Sequence, residues 1–445
     1  MRRPAPGATG SEPPALLPVR AWLDALVVVL AGAVTMLVVA CLGLWAAGAP
    51  HLPGEAYPRV VVAMVVMAVG GEVQLSGDAG FLAQTDAAVE VVPLSVTLAG
   101  ALVMAVLFLL PLRHRAVATG REVLDRVVRT AVLWCLMLVL LALLARHTFE
   151  VSVGGGLAED IGDLLDANPT VGFRADVPAT LGFGLLWLLA VLALTFLVSH
   201  RAPLPSRLLH FQESVRPPAF AMVAVLLLYV AIGVVVGLVV AATRGHPAET
   251  LAALLLGLPN LVWLAFGVGI GGSWDGRVAE GIGLPVPRVL DEVLRTSGGG
   301  NATLDLAAVA ERDDRAWVLV VVAVIALLAA GFLTAVRSPA RIRPWQHAWH
   351  LGLAMALTML VIGLLTRIFA HYGLTVIGVG DLGGGLGGEV SLRANFLPLI
   401  GFGALWGLAA GFLGGLLALR VRHHGAVEAR GEEARGQGAG GPSGR

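Results

Sequence analysis

The residues best suited to chemistry are four arginines in two matched pairs. Arg146 ends the apolar run "LLAR" and Arg367 ends "LLTR", while Arg174 and Arg393 each stand just before a further apolar run. The latter two lie in stretches that align without gaps, "VGFRADVPATLGFGLLW" (171–187) and "VSLRANFLPLIGFGALW" (390–406), with eight of seventeen positions identical. A guanidinium beside hydrocarbon is costly unless it snorkels or pairs. Two readings follow: a pseudo-symmetric basic set facing an anionic ligand, or arginines that reach lipid headgroups or acids such as Asp160, Asp176 or Glu389. The second makes fewer demands. In the first, Arg174 and Arg393 line one outer-facing cavity.

Three further residues are candidates for binding. Asp78 in "SGD" (76–78) and Asp275 in "SWD" (273–275) each follow a leftover apolar stretch and sit beside a glycine. Such aspartates cap turns through backbone N–H groups and, with more assumptions, hold a cation or proton. Asn260 lies in "LLLGLPNLVWLAFGVG" (254–269) directly after Pro259. Proline cannot continue helix hydrogen bonding and asparagine can cap a helix that restarts, so Pro259 is expected to be a structural break. Backbone freed there must be covered by protein or water, which puts Pro259-Asn260 at a seam between the halves of the chain. The matching stretch Val60–Val69 is read as lacking the Pro-Asn.

Other motifs carry less. "GVGD" (378–381) matches one box of intramembrane aspartyl proteases, whose chemistry needs two carboxylates sharing a proton, but none of Tyr57, Tyr229 and Tyr372 precedes an aspartate to complete the partner motif. "HAWH" puts His347 and His350 on one helix face, half of a metal site, yet no third ligand follows at suitable spacing. With Trp345 and Trp349 interleaved it reads better as an interfacial anchor. "NAT" (301–303) has only the form of a glycosylation sequon. No HExxH, GxSxG, Walker or dinucleotide fingerprint occurs. No catalytic residue, metal site or cofactor is therefore expected, and an enzyme ranks third among the functional classes.

These residues sit in a chain of 445 residues that is 57% hydrophobic and 13% charged, with a mean hydropathy of +0.84. A soluble domain carries about twice that charge, so the class is integral membrane protein. Net charge is zero, against nucleic acid as a partner. All 30 basic residues other than histidine are arginine and 57 residues are glycine, a composition of high-GC genomes. Two cysteines, Cys41 and Cys135, exclude a disulfide framework. "VVAC" (38–41) loosely resembles a lipoprotein cleavage box, but the long polar N-terminal region and the long apolar run favour an uncleaved first helix.

Eight runs are long enough to cross a bilayer, which takes about 20 apolar residues. They lie near 22–48, 93–112, 130–146, 179–199, 218–242, 316–335, 348–368 and 396–419. Arginines cluster in 113–129, 201–216 and 337–343 and at both flanks, whereas 148–178 carries six acids against one arginine. The positive-inside rule then puts both termini in the cytoplasm of a cell-membrane protein. Two apolar stretches are left over, Val60–Val69 and Leu251–Gly271. Each begins and ends outside by this count, so both are expected to be re-entrant or interfacial rather than spans, with a helix–turn–helix at Pro259.

The pattern helix, leftover segment, three helices occurs twice. The expected organisation is a disordered tail (1–19), membrane repeat 1 (20–200), a cytoplasmic linker (201–217), membrane repeat 2 (218–420) and a disordered tail (421–445). Both repeats start inside, as parallel repeats do. Gly233-xxx-Gly237 and Gly411 to Gly415 suit close helix packing. The stretches "VVPLSVTLAG" (91–100), "LGLPNLVW" (256–263), "SWDGR" (273–277) and "FLPLIGFGALW" (396–406) resemble the streptophobe family. That resemblance implies an actinobacterial multi-pass membrane protein with Gly-rich outer loops, and supplies no activity or site residue.

The expected fold class is all-α, a polytopic helical membrane protein with about eight transmembrane helices in two parallel four-helix repeats. Its partners are the lipid bilayer and a small-molecule or anionic ligand. A transporter or channel with a site between the repeats ranks slightly ahead. The alternative is a non-transporting scaffold or sensor that binds through the outer Gly/Asp-rich loops 273–315 and 371–395. Against transport, no span carries an acid or base near its centre.

Overall fold

The computed structural model describes residues 16–51, 56–78, 83–111, 120–150, 170–199, 209–243, 245–278, 302–338, 343–376 and 388–438. The apolar runs form helices, the conformation that satisfies every backbone group within hydrocarbon. In chain order these are α1 (Leu16–Ala46), α2 (Ala56–Ala68), β1 (Val73–Asp78), β2 (Ala83–Val91), α3 (Leu94–Leu109), α4 (Gly120–Leu144), β3 (Arg146–Glu150), β4 (Thr170–Ala175) and α5 (Val177–Val198). There follow α6 (Leu209–Thr243), α7 (Pro247–Gly269), β5 (Trp274–Val278), β6 (Ala302–Leu304), the short α8 (Leu306–Ala310), α9 (Trp317–Arg337), α10 (Pro344–Leu365), β7 (Ile368–Val376), β8 (Gly388–Ala394) and α11 (Phe396–Gly438). Apart from α8 and two 3-10 turns, one order of helices and strands occurs twice.

The chain is an all-α polytopic membrane protein. Eight helices are long and apolar enough to cross a bilayer: α1, α4, α5, α6, α7, α9, α10 and α11. Leu136, Leu186, Ile325 and Leu405 on four of them are each more than 60% exposed, as lipid-facing side chains are. Membership of this set differs from expectation in one exchange, α7 in and the 16-residue α3 out. Contacts show how each is used. Helix α3 runs antiparallel to α1, with Gly32 against Met104 and Gly100 against Met36. It starts beside the strands, and its other end puts Phe108 on Phe196 of α5 (5.6 Å) and under Arg126 of α4 (4.9 Å). So α3 joins the strand end of the bundle to the opposite end. Helix α7 instead touches Gly43 late in α1, Val92 to Ser95 at the start of α3, Leu319 at the start of α9 and Leu399 at the start of α11. It follows α6, which rises from Phe220 under Arg337 (3.7 Å) at the opposite end. Both ends of α7 therefore lie in the strand-facing half.

The expected break at Pro259 is corrected: α7 is one continuous helix of 23 residues with Pro259 inside it. The Ser95 hydroxyl donates to the Leu254 carbonyl (2.8 Å) and accepts from the Leu258 N–H (3.1 Å). It serves backbone groups in the turn that the proline distorts, a known way for helices to tolerate proline. Asn260 caps no restarted helix. Its Oδ1 accepts from the Leu94 N–H (3.1 Å) at the start of α3, and its Nδ2 donates to the Val92 carbonyl (2.9 Å). Helix α11 continues to Gly438, into the tail expected to lack order. Its Ala, Glu and Arg are good helix formers.

The sequence reading missed the strands. They form one open eight-stranded sheet in the order β3-β4-β1-β2-β7-β8-β5-β6. All pairings are antiparallel, and β2–β7 joins the two halves. Each strand abuts a helix end, so the sheet stands on one end of the bundle. Its two faces differ as the period of two requires. Val73, Phe173, Ala175, Trp274, Leu392 and Ala394 are buried; Gln74, Arg174, Arg277, Thr303 and Arg393, on the alternate positions, are exposed.

Two packing features fix this end of the bundle. Gly70 (φ 86°) and Gly271 (φ 97°) end α2 and α7 in the left-handed conformation that glycine allows. Behind them the Gly71 N–H donates to the Val66 carbonyl (3.0 Å) and the Gly272 N–H to the Gly267 carbonyl (2.8 Å). Trp274, fully buried, donates from Nε1 to Thr366 Oγ1 (3.3 Å) where α10 ends.

Candidate functional site

The strand register decides which candidate residues meet. Arg146 is opposite Arg174 across β3–β4, and Gln74 is opposite Arg174 across β1–β4. Directly opposed residues share a face with Cβ atoms roughly 5 Å apart, so Arg146 and Arg174 form a like-charged pair. Across β5–β8 Arg393 is opposite Asp275. Arg367 immediately precedes β7, whose Ile368 is opposite Leu392, so Arg367 falls level with Arg393.

The Asp78/Asp275 pairing is corrected by this register. Val73 faces Ala175 and Trp274 faces Ala394, so the position matching Asp275 is Gln74. Asp78 lies further out on β1, opposite Thr170. The reading of Val60–Val69 changes as well. Counting back from the paired turns at Gly70 and Gly271, Pro58 matches Pro259 and Arg59 matches Asn260. The first half has its own proline, followed by arginine instead of asparagine.

Arg59 was not among the expected residues. Its Nη1 donates to the Arg146 carbonyl (3.2 Å) and to His147 Nδ1 (2.7 Å). Arginine only donates, so His147 Nδ1 accepts and this contact is made by the neutral ring. His147 in turn meets Phe173 edge-on at 6.4 Å. Arg59 thereby reaches β3, an outermost strand of the sheet, at the residue where Arg146 sits. Arg146 Nε is buried without a hydrogen-bond partner. Sequence spacing gave one available signal, the proline shared by "YPRV" and "LPNL".

In the second half the surroundings differ. Arg393 lies over the Phe369 ring at 5.5 Å, and Asp275 accepts from Thr303 Oγ1 (3.1 Å). Asn260 is engaged with α3 as described. Arg174 on β4 and Arg393 on β8 are four strand steps apart, roughly 19 Å along a sheet spaced at ~4.8 Å per strand. They share the exposed face and do not converge on one pocket.

The interior of the bundle offers little polar chemistry. Buried hydroxyls of Thr97, Thr130, Thr180, Thr195, Thr334, Ser338 and Thr366 each donate to a backbone carbonyl. The Tyr229 hydroxyl is buried beside Phe266 without a partner. An open cavity of about 680 Å³ between α3, α5 and α6 is lined by residues such as Leu98, Leu102, Val106, Val191, Phe220 and Leu227. His347 is buried in α10 while Trp345 and Trp349 are exposed at its start, so this end of α10 has the aromatic character of an interface. Among the described residues no group of three or more His, Cys, Asp or Glu is arranged to hold a metal ion. Asp381 of "GVGD", Asn301 of "NAT" and Asp160 lie outside the described residues. Compared with known protein families, characterised proteins and solved structures, the chain finds no match.

Proposed function

We propose that this integral membrane protein binds a ligand at the exposed face of its sheet and does not carry solute through its helices. One observation carries the reading: the matched arginines lie on or beside the sheet, while the cavity between the halves is hydrocarbon. A transport site between the halves needs polar groups to replace a solute's hydration, and the Thr195 hydroxyl there is already bonded to the Val191 carbonyl. The reading therefore favours a sensor or scaffold, although the outer loops expected to bind fall largely outside the described residues.

Orientation belongs to the same proposal. Arg121, Arg126, Arg129, Arg216, Arg337 and Arg343 gather at the end opposite the sheet. By the positive-inside rule that end is cytoplasmic, with both termini, and the sheet faces outward from the cell membrane. The recurring element order and the matched glycine turns support descent from one duplicated unit, with parallel halves. Membership of the streptophobe family belongs to the same proposal, rests on the sequence resemblance alone and adds no activity.

Cysteine substitution in a background of Cys41→Ala and Cys135→Ala tests the reading. Arg174→Cys and Arg393→Cys should react with a hydrophilic, membrane-impermeant maleimide from the outer side only. Leu98→Cys and Leu227→Cys should stay unreactive from both sides. Reaction at Leu98 or Leu227 would mean water between the halves and would sink the proposal.

A further inference from the structure

We infer that the first half alone carries a site for a phosphate-bearing anion, at the start of β3, built by Arg59, Arg146 and Arg174. This rests on the sheet's exposed face being the binding surface. Two guanidiniums share the exposed face at this strand end, and a third, from Arg59, reaches the strand at the Arg146 carbonyl and His147. Arg146 and Arg174 are directly opposed, an arrangement that is destabilising for like charges by itself. Arg59 is fixed beside them through the Arg146 carbonyl and His147. Among the described residues none of the three arginines forms an ion pair. Glu72 and Asp176 flank the cluster in sequence, the Asp176 N–H donating to the Glu72 carbonyl (3.1 Å). The Asp176 carboxylate is engaged by the Ala179 N–H (2.8 Å) at the start of α5.

The buried Arg146 Nε sharpens the point. A guanidinium N–H removed from water without an acceptor is a costly group, and an oxyanion among the three arginines would supply one. Arginine forks match phosphate bidentately, which gives geometry as well as charge.

The second half serves as an internal control. Where the first has Arg59 and Gln74, the second has Asn260 and Asp275. The first set is three guanidiniums with the Glu72 and Asp176 carboxylates, whose matched positions in the second half are the neutral Ser273 and Asn395; the second set is Arg367 and Arg393 with the Asp275 carboxylate. The halves thus differ in how many arginines gather at the strand end, three against two.

The test uses the full chain in nonionic detergent free of phospholipid, titrated calorimetrically with inorganic phosphate, and in nanodiscs of phosphatidylglycerol or phosphatidylcholine. Binding of phosphate, retention of phosphatidylglycerol after extraction, or both, is expected in the wild type. Arg174→Gln should weaken either at least tenfold and Arg393→Gln by less than twofold. Arg174→Lys, which keeps the charge and guards against misfolding, should fall between. Phosphate binding without lipid retention assigns the site to a free anion; the reverse assigns it to a headgroup. Neither phosphate binding nor lipid retention, or equal losses in Arg174→Gln and Arg393→Gln, would overturn the inference. The maleimide pattern is independent of this: a wet bundle would remove the binding-face reading and leave the titration interpretable. A failed titration with a sealed bundle would remove the site alone.

Discussion

Arg59 and Asn260 hold one position in two halves of the chain and do different work. Each follows a proline, and each stands at the same distance before a Gly-Gly turn, at Gly70 and Gly271. Arg59 turns to its own half, onto the Arg146 carbonyl and His147. Asn260 turns to the other half and bonds both backbone groups at the entrance of α3. One of the two matched residues carries charge at the strand end, and the other ties the two halves together.

Loss of the tie should be measurable. Asn260→Leu leaves the Val92 carbonyl and Leu94 N–H without their partner in a part-buried place, and an unsatisfied group of this kind costs about 1–3 kcal/mol. The expected result is a lower unfolding midpoint in detergent, with a smaller drop for Ser95→Ala, which loses the bonds to Leu254 and Leu258. An Asn260→Leu midpoint equal to wild type would show that the seam is held by apolar packing alone.

Much of this fold is legible from sequence, for physical reasons. Apolar runs must be helices in lipid, so seven of the eight helices long enough to cross follow from pattern; the exchange of α7 for the shorter α3 does not. Pro259-Asn260 as a seam feature also follows, because opened backbone needs a partner. The sheet does not. Its strands are three to nine residues long and adjoin Gly-rich segments, and their pairing is set by contacts between residues as distant as Ala83 and Val376. Without that register the two aspartates looked equivalent, and Gln74 and Arg59 carried no signal of their own. Arg174 and Arg393 were found because an ungapped alignment exposes them, and Arg146 and Arg367 because they end the similar runs "LLAR" and "LLTR"; what each faces required the strands.

Close packing in the second half gives a different prediction. A Cβ on Gly414 of α11 would fall on the backbone of Gly331 in α9, and one on Gly331 would fall on the Ala410 carbonyl. Overpacking of this kind costs typically ~1–3 kcal/mol. Gly414→Ala and Gly331→Ala should each lower thermal stability, whereas Gly401→Ala, with nothing within 4 Å of its Cβ position, should be nearly neutral. Equal stability of all three variants would mean that α9 and α11 are further apart than described.

Tyr57 links α2 to α1 by donating to the Cys41 carbonyl (2.7 Å), with Cys41 Sγ 3.1 Å from its oxygen. Burial first, then the Cys41 contact, pushes the hydroxyl from 10.0 up to about 12. A raised acid binds its proton more tightly when folded. Its contribution is complete below pH 10 and is lost as pH rises through about 12. Tyr57→Phe should cost ~1 kcal/mol at neutral pH, and should flatten the part of the wild-type stability profile that falls across that window. A variant profile with the same alkaline slope would assign the titration to another group.

The membrane path of α7 is the last relationship that a simple measurement decides. Length and composition qualify it to cross, but Gly43, Leu94, Leu319 and Leu399 all hold it at the strand-facing end. If it crossed, Gly245 before it and Ser273 after it would lie on opposite sides, and β5 could not join a sheet that also contains β4 and β8. With Cys41→Ala and Cys135→Ala as background, Gly245→Cys and Ser273→Cys should both react with impermeant maleimide from the sheet side. Gly245→Cys also tests the turn itself, since its φ of 75° disfavours any side chain. His246→Cys, one residue on and exposed, therefore serves as the second probe of that end. Labelling of Ser273→Cys from the opposite side alone would make α7 a ninth crossing and detach β5 from the sheet.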